Sequence, residues 1–408
     1  MKKVLISTKL KTTNNGNQAL SDELIKLAQD FTNECDFKVV GRPFGLDKYT
    51  FNYFDVEDPV TAFEKIAQEI ANRAKKLNKL EFQKSDLQNV RTNLLDVEGN
   101  VVKTEKYRRI ARKFRKFYFS FFLFSKAYEQ RLRTFNSIDY YLYSGAGEVS
   151  NEDFFLRQLL DLRVAQILGV KVCAINQSVE IDSGVEKKIL VHVYSKMHKI
   201  VVRGNLSKEL LVKNGVNHNL IEVCPDTAFR NIVDFKIKKS FSKKIAINFT
   251  PLKYDKLKYE ALLKKLIDNG YQITFVSNEP KGEKQLANDL KEKFNISFLI
   301  QSIHYNAYSK LLSDFDFLIS TRLHSNELAL TAGVPIIPIE GRSFKTNEVF
   351  GLINYPLEVM TVDNADFVNK IWSSVEYLEN NFEEIQDWIF KNLPEISKKS
   401  ANNISSVL

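Results

Sequence analysis

The chain has 408 residues, of which 44% are hydrophobic and 27% charged, and a formal charge of +9 at pH 7. That length exceeds one ordinary core and implies two domains, while the composition is that of a globular protein and excludes fibrous and disordered classes. Three dispersed cysteines, Cys35, Cys173 and Cys224, have no metal-ligand spacing and cannot all pair, which excludes a disulfide framework.

The N-terminus, MKKVLISTKLKTTNN, has too short an apolar core for a signal peptide, which needs about 7 to 15 apolar residues. It reads as a first strand over Val4 to Ser7, and the expected location is cytoplasmic. A polar loop and a helix from Gln18 to Phe31 follow, then a strand over Phe37 to Val40.

Residues 103 to 133 hold eleven Lys or Arg against two acids, so 11 minus 2 accounts for the whole net charge. Tyr107, Ile110, Phe114, Phe117, Phe121 and Phe124 recur at three- or four-residue steps, with Arg108, Arg109, Arg112, Lys113, Arg115 and Lys116 between them. This pattern predicts an amphipathic basic helix. It suits either peripheral contact with the inner face of an anionic membrane through residues 106 to 126, or a helix burying its aromatic face. No nucleic-acid recognition module accompanies it, so nucleic acid is not expected as a partner.

Short strands are predicted at Asp139 to Tyr143, Val170 to Ile175 and Lys199 to Val202. After a charged stretch near residues 229 to 243, a second series begins with KIAINFT at Lys244. It continues through a helix from Tyr254 to Asn269, QITFVSN, a helix from Gly282 to Phe294, ISFLIQ, DFDFLIS and VPIIPIE. Such alternation predicts an α/β protein with parallel sheets. The expected division is a first parallel-sheet domain over residues 1 to 228, with an insert at about 75 to 135, and a second over 244 to 365. Residues 366 to 408 form a terminal segment whose helix, Asp366 to Asn392, could cross back to the first domain.

In open parallel sheets ligands bind at the loops beyond the carboxyl ends of the strands. After the first strand, TTNNGNQAL places Asn14 and Asn17 around a tight turn into a helix, either an anion or sugar site or a plain N-cap. After DYYLYS, the stretch GAGEVS supplies Gly145 and Glu148. Arg203 follows the strand KIVV, and VCPDTAF supplies Asp226. The stretch STRLHSNELALTAGVPIIPIEGRSFK puts Arg322 and His324 at a helix start, where a cation is unfavourable without an anion to offset it. The next loop adds Arg342 and Lys345. Arg322, Lys345 and Arg203 would suit a small, highly charged anion, toward which His324 can donate a proton. No paired carboxylates, HExxH or Walker-type loop is present, so no metal or cofactor is expected.

The motifs NNGNQAL, SGAGEVS, NQSVE, VVRGNLSKELL, CPDTAF, INFTP and above all STRLHSNELALTAGVPIIPIEGRSFK resemble, in order, those of the polysaccharide pyruvyl transferases. The resemblance implies two Rossmann-like domains facing across a cleft as in GT-B glycosyltransferases, the first on the acceptor side and the second on the donor side. It implies transfer of pyruvate from phosphoenolpyruvate to hydroxyls of a saccharide acceptor, lipid-linked or polymeric, as a ketal. Arg203, Arg322 and His324 match the family's donor-binding residues, with Lys345 a looser match, and His324 is the expected acid. Asn14, Asn17, Gly145, Glu148 and Asp226 are acceptor-side candidates. The competing expectation is a GT-B glycosyltransferase with a nucleotide-sugar donor.

Overall fold

The computed structural model describes all residues except 11, 42–57, 93–125, 151–155, 181–183, 235–236, 239, 301–302 and 342, and except the side chains of 127 and 146–150. Most of the basic aromatic segment, including residues 106 to 125, therefore lies outside the described residues, as does Arg342.

The first domain is a six-stranded, wholly parallel sheet. Its strands are β1 Lys2–Thr8, β2 Cys35–Gly41, β3 Tyr140–Ser150, β4 Lys171–Glu180, β5 Lys199–Val202 and β6 Ile221–Val223, in spatial order β2-β1-β3-β4-β5-β6. Around it lie α1 Asn15–Gln29, α2 Pro59–Lys75, α3 Lys126–Phe135, α4 Leu156–Ile167, α5 Gly184–Tyr194 and α6 Asn205–Lys213. Alternate strand residues enter opposite cores, as the two-residue side-chain period requires. Leu5, Tyr141, Val172 and Ile200 pack to one side, and Val4, Ile6, Leu142, Cys173 and Val201 to the other.

The second domain holds β7 Lys244–Asn248, β8 Gln272–Val276, β9 Ser297–Leu299, β10 Phe317–Ser320 and β11 Ile336–Pro338, parallel and ordered β11-β10-β7-β8-β9. Its helices are α7 Lys256–Asp268, α8 Pro280–Phe294, α9 Tyr305–Leu312, α10 Leu323–Leu330, α11 Lys345–Leu352 and α12 Phe367–Asn380. Two further helices, α13 Phe382–Ser400 and α14 Asn402–Ser405, end the chain. Ile404 and Val407 complete the first-domain core beside Val4 and Leu24, so the C-terminus crosses back.

Three local expectations change. The first helix begins at Asn15 rather than Gln18, because the Asn14 side chain accepts the Asn17 N–H at 3.0 Å and caps the turn. The stretch GAGEVS is strand rather than loop: β3 pairs with β4 as far as Ser150, with a register shift between Ala146 and Val149. The C-terminal helix expected from Asp366 to Asn392 is two, broken at Asn381.

Topology sets the site. In the first sheet the chain reverses its direction of strand addition between β1 and β3; in the second it does so between β7 and β10. The crevice at such a switch point is where doubly wound sheets take ligands. The loop after β1 and the loop after β10 carry the TTNNGNQAL and STRLHSNE motifs, and these two loops meet.

Candidate active site

α10 begins just past β10 at the switch point of the second sheet. Ser320 Oγ accepts the Arg322 N–H at 2.9 Å and holds the turn, so that Arg322 occupies the N-cap position. His324 lies two positions on, with its side chain 16% exposed. Against it packs Gly16, at the start of α1: a Cβ built on Gly16 would stand 2.1 Å from His324 Cβ. Only a glycine lets the two loops approach so closely. Gly16→Ala should force His324 or the loop aside and cost about 1 to 3 kcal/mol, read by urea unfolding; unchanged stability would mean that the loops stand apart in solution.

Behind His324 is a buried charge cluster. Arg203, at the end of β5, is 1% exposed. Its Nη1 donates to Asp226 Oδ2 at 2.5 Å, and its Nε and Nη2 donate to Ser178 Oγ at 3.2 and 2.9 Å. The same Nη1 stands 3.5 Å from His324 Nε2. Asp226 caps a short 3-10 turn by accepting the Ala228 N–H at 2.9 Å, and its Oδ2 lies 3.7 Å from His324 Nε2. On the next turn of α10, Glu327 is wholly buried; its Oε2 is 3.8 Å from the same nitrogen, and neither carboxylate oxygen has a hydrogen-bond partner.

Burial opposes the charge on Asp226, but the Arg203 guanidinium and His324 outweigh it and hold the carboxyl below the usual carboxylate range. For Glu327 burial dominates, reinforced by the Asp226 charge and only partly countered by Arg203, and the carboxyl is raised well above that range. Burial also lowers the His324 imidazole, against the pull of Asp226. These directions favour an ionised Asp226 locked on Arg203, the neutral form of His324 and the protonated form of Glu327. Ligand atoms of Asp226, His324 and Glu327 lie within 4.8 Å of one another, close enough for a small cation among the described residues; Arg203 already supplies a cation there.

Arg322 turns elsewhere. Its Nε donates to Glu283 Oε1 at 2.7 Å, and its Nη2 is 3.5 Å from Glu279. Buried Glu283 is itself fixed by Ser277, Asn248 and the N–H groups of Asn278 and Glu279. Lys345 Nζ bridges the domains to Glu180 at 3.0 Å. The three expected cations thus each have a carboxylate partner, and the structure brings only Arg203, Asp226 and His324 into one hydrogen-bonding cluster. Asn14 is engaged in capping, and Asn17 supplies the N–H it accepts. Gly145 abuts the Gln177 side chain, where a Cβ would meet Nε2 at 2.2 Å. The side chain of Glu148 lies outside the described ones.

Sequence reasoning missed Glu327, Glu283, Ser178 and Glu348. Glu327 was legible in principle, since position i+3 from His324 shares its helix face. Glu348 of α11 reaches into the first domain, accepting from the Ser207 N–H at 3.0 Å and from Ser178 Oγ at 2.5 Å; its partners lie far away in sequence and left no local signal.

The family model described as polysaccharide pyruvyl transferase matches residues 88–343. The amylovoran biosynthesis protein AmsJ of Erwinia amylovora is 22% identical over 233 residues, 48% of this chain and 55% of that protein; the chain thus spans about half the length of this curated relative. Among solved structures, an S. aureus MnaA–UDP co-structure has a TM-score of 0.55 at 12% identity, covering 99% of this chain and 96% of that one. Anabaena Alr3699/HepE in complex with UDP has a TM-score of 0.53 at 10% identity, covering all of both chains. UDP-GlcNAc 2-epimerase from Neisseria meningitidis bound to UDP-GlcNAc has a TM-score of 0.52 at 11% identity, covering 100% and 99%. At these identities the likeness is one of fold, two Rossmann-like domains in a GT-B-like arrangement. Because the family model matches residues 88–343, well over half of the chain, and that range includes Arg203, Asp226 and His324, the chain belongs to the polysaccharide pyruvyl transferase family.

Proposed function

We propose that this protein transfers pyruvate from phosphoenolpyruvate to two hydroxyls of a cell-surface polysaccharide or its lipid-linked precursor. The observation that carries the reading is the position of His324, backed by the Arg203–Asp226 pair at the meeting of the two switch points. Glu283 anchors one edge of the Arg322 guanidinium and Glu279, 39% exposed and 3.5 Å away, holds the other loosely. A trianionic donor can compete with Glu279 for that edge, and with Glu180 for Lys345. Its charge would raise the His324 pKa and so load the acid as the donor binds. Protonation of the donor methylene makes the adjacent carbon electrophilic, the two hydroxyls add in turn, and phosphate leaves. Asp226 is wholly buried and fixes the Arg203 guanidinium that faces the imidazole, rather than touching the acceptor.

Thermal unfolding tests the donor. Phosphoenolpyruvate at 100 times its dissociation constant should add about 2.7 kcal/mol of stability, and Arg322→Ala should abolish the gain. A gain with UDP-sugars and none with phosphoenolpyruvate would sink the reading and favour a nucleotide-sugar glycosyltransferase.

No helix among the described residues is long and apolar enough to cross a membrane. Peripheral contact through residues 106 to 126 remains part of the proposal, on the charge and aromatic spacing alone. Cosedimentation with anionic vesicles should weaken when Arg112, Lys113, Arg115 and Lys116 become glutamine; unchanged sedimentation would remove the membrane from the proposal.

A further inference from the structure

We propose that Glu327 is a further positioning residue of the transfer: its carboxylic acid faces His324 Nε2 and holds the proton that the imidazole relays to the donor. This rests on the reading of the protein as a phosphoenolpyruvate-dependent pyruvyl transferase. The geometry is specific. Glu327 is wholly buried, both its oxygens lack partners, and Oε2 lies 3.8 Å from Nε2 across one helical turn. A carboxyl group left unbonded in a core costs free energy, less when neutral than when ionised, and so calls for a functional explanation.

Arg203 Nη1 stands 3.5 Å from His324 Nε2, and because a guanidinium can only donate we assign Nε2 as the accepting nitrogen and Nδ1 as the protonated one of the neutral ring. Nδ1 lies toward Gly16, where a Cβ would come within 2.4 Å of it. Other groups bear on the cluster. Asp226 and Arg203 face it from the first domain, and Lys9 beyond β1 acts on His324 through its charge. Tyr308 of α9 is bonded to Ser325, and Asp22, Glu23 and Lys26 of α1 are engaged with one another and Tyr305.

In the step, Glu327 gives its proton to Nε2 as the Nδ1 proton moves to C3 of phosphoenolpyruvate, the C2=C3 π pair forming the new C–H bond. The first sugar hydroxyl adds to C2, and its proton returns through the imidazole to Glu327. The C2–O bond to phosphate then breaks with its pair on the phosphate oxygen. The second hydroxyl adds at C2, and its proton leaves on hydrogen phosphate. Two hydroxyl protons and one donor thus yield one methyl ketal and one hydrogen phosphate, with Glu327 restored.

Glu327→Gln keeps the size and removes the proton. Phosphate release from phosphoenolpyruvate, with a panel of p-nitrophenyl glycosides of galactose, glucose and mannose as acceptors, should fall about 10²-fold in kcat with KM for the donor unchanged. Glu327→Asp should recover part of the rate, and the donor-induced thermal gain should persist in both variants. In nitrogen-15 histidine spectra the His324 titration midpoint should be the same in parent and Glu327→Gln, since one neutral group replaces another. Parent-rate turnover by Glu327→Gln would overturn the proposal. So would a fall of about one unit in the His324 midpoint, which would show that Glu327 is ionised at neutral pH. Absence of any donor-induced gain in the parent would instead count against the functional reading, and the histidine titration would still decide whether Glu327 holds a proton.

Discussion

Replacing Arg203 by alanine should lower the stability of the protein by about 3 to 5 kcal/mol, the range seen when one partner of a buried ion pair is removed. The reason is what remains. Asp226 is wholly buried and receives Nη1 at 2.5 Å, while Ser178 accepts two further N–H groups of the same guanidinium. Without Arg203 the carboxylate is left uncompensated in the core beside the unpartnered Glu327. The pH dependence should change sign. In the parent the Asp226 pKa is depressed in the folded state, so its contribution is present above the unfolded value near 3.9 and is lost as pH falls through the folded one. In the variant, burial without the cation raises the folded pKa, and stability should decline as pH rises from about 4 toward neutrality. Urea unfolding at pH 4.5 and pH 7 measures both effects. A loss below about 1 kcal/mol at pH 7, the worth of an exposed pair, would show that the buried pair does not form.

His324→Asn should lower turnover by about 10² to 10⁴-fold, the usual weight of a positioned general acid, while leaving the stability gain with phosphoenolpyruvate largely intact. Asparagine can still donate a hydrogen bond but cannot deliver a proton. In the proposed reading the donor's phosphate and carboxylate are held by the side chains of Arg322 and Lys345 rather than by the imidazole, so binding and proton transfer should separate experimentally. Turnover at the parent rate would remove His324 from the chemistry, and loss of donor binding alone would make it a binding group.

Arg322 and His324, expected from one motif to serve a single anion, have different partners in the resting structure. Two residues apart at a helix start, they project to nearly opposite sides. Arg322 accordingly pairs with Glu283 of its own domain, while His324 faces Arg203 and Asp226 of the other. The i+3 partner that does share the His324 face is Glu327. Helical geometry is enough to separate the two residues once the helix start is placed at Leu323. The partners each would find were not legible, because they come from elsewhere in the fold.

The glycine-rich stretch after DYYLYS teaches a related lesson. Two glycines suggested a loop, yet the stretch lies beside β4, and parallel pairing carries the strand through it to Ser150. Tertiary pairing overrides a local turn preference where a neighbouring strand supplies the hydrogen bonds. Gly145 is then needed for a different reason, the close approach of the Gln177 side chain.

The amino-acid sequence alone determined the alternation of strands and helices, the division into two parallel sheets and the family motifs, because apolar period and turn residues are local properties of the chain. Only the tertiary structure decided the strand orders that bring the two switch points together and the approach of Gly16 to His324. It also decided the partners of each charge. Arg203 and His324 are 121 residues apart, and such an encounter depends on how two complete domains pack. Both carboxyls are buried, and the guanidinium separates them: bonded to Arg203, Asp226 is held below the usual carboxylate range, while Glu327, without that bond, is raised above it.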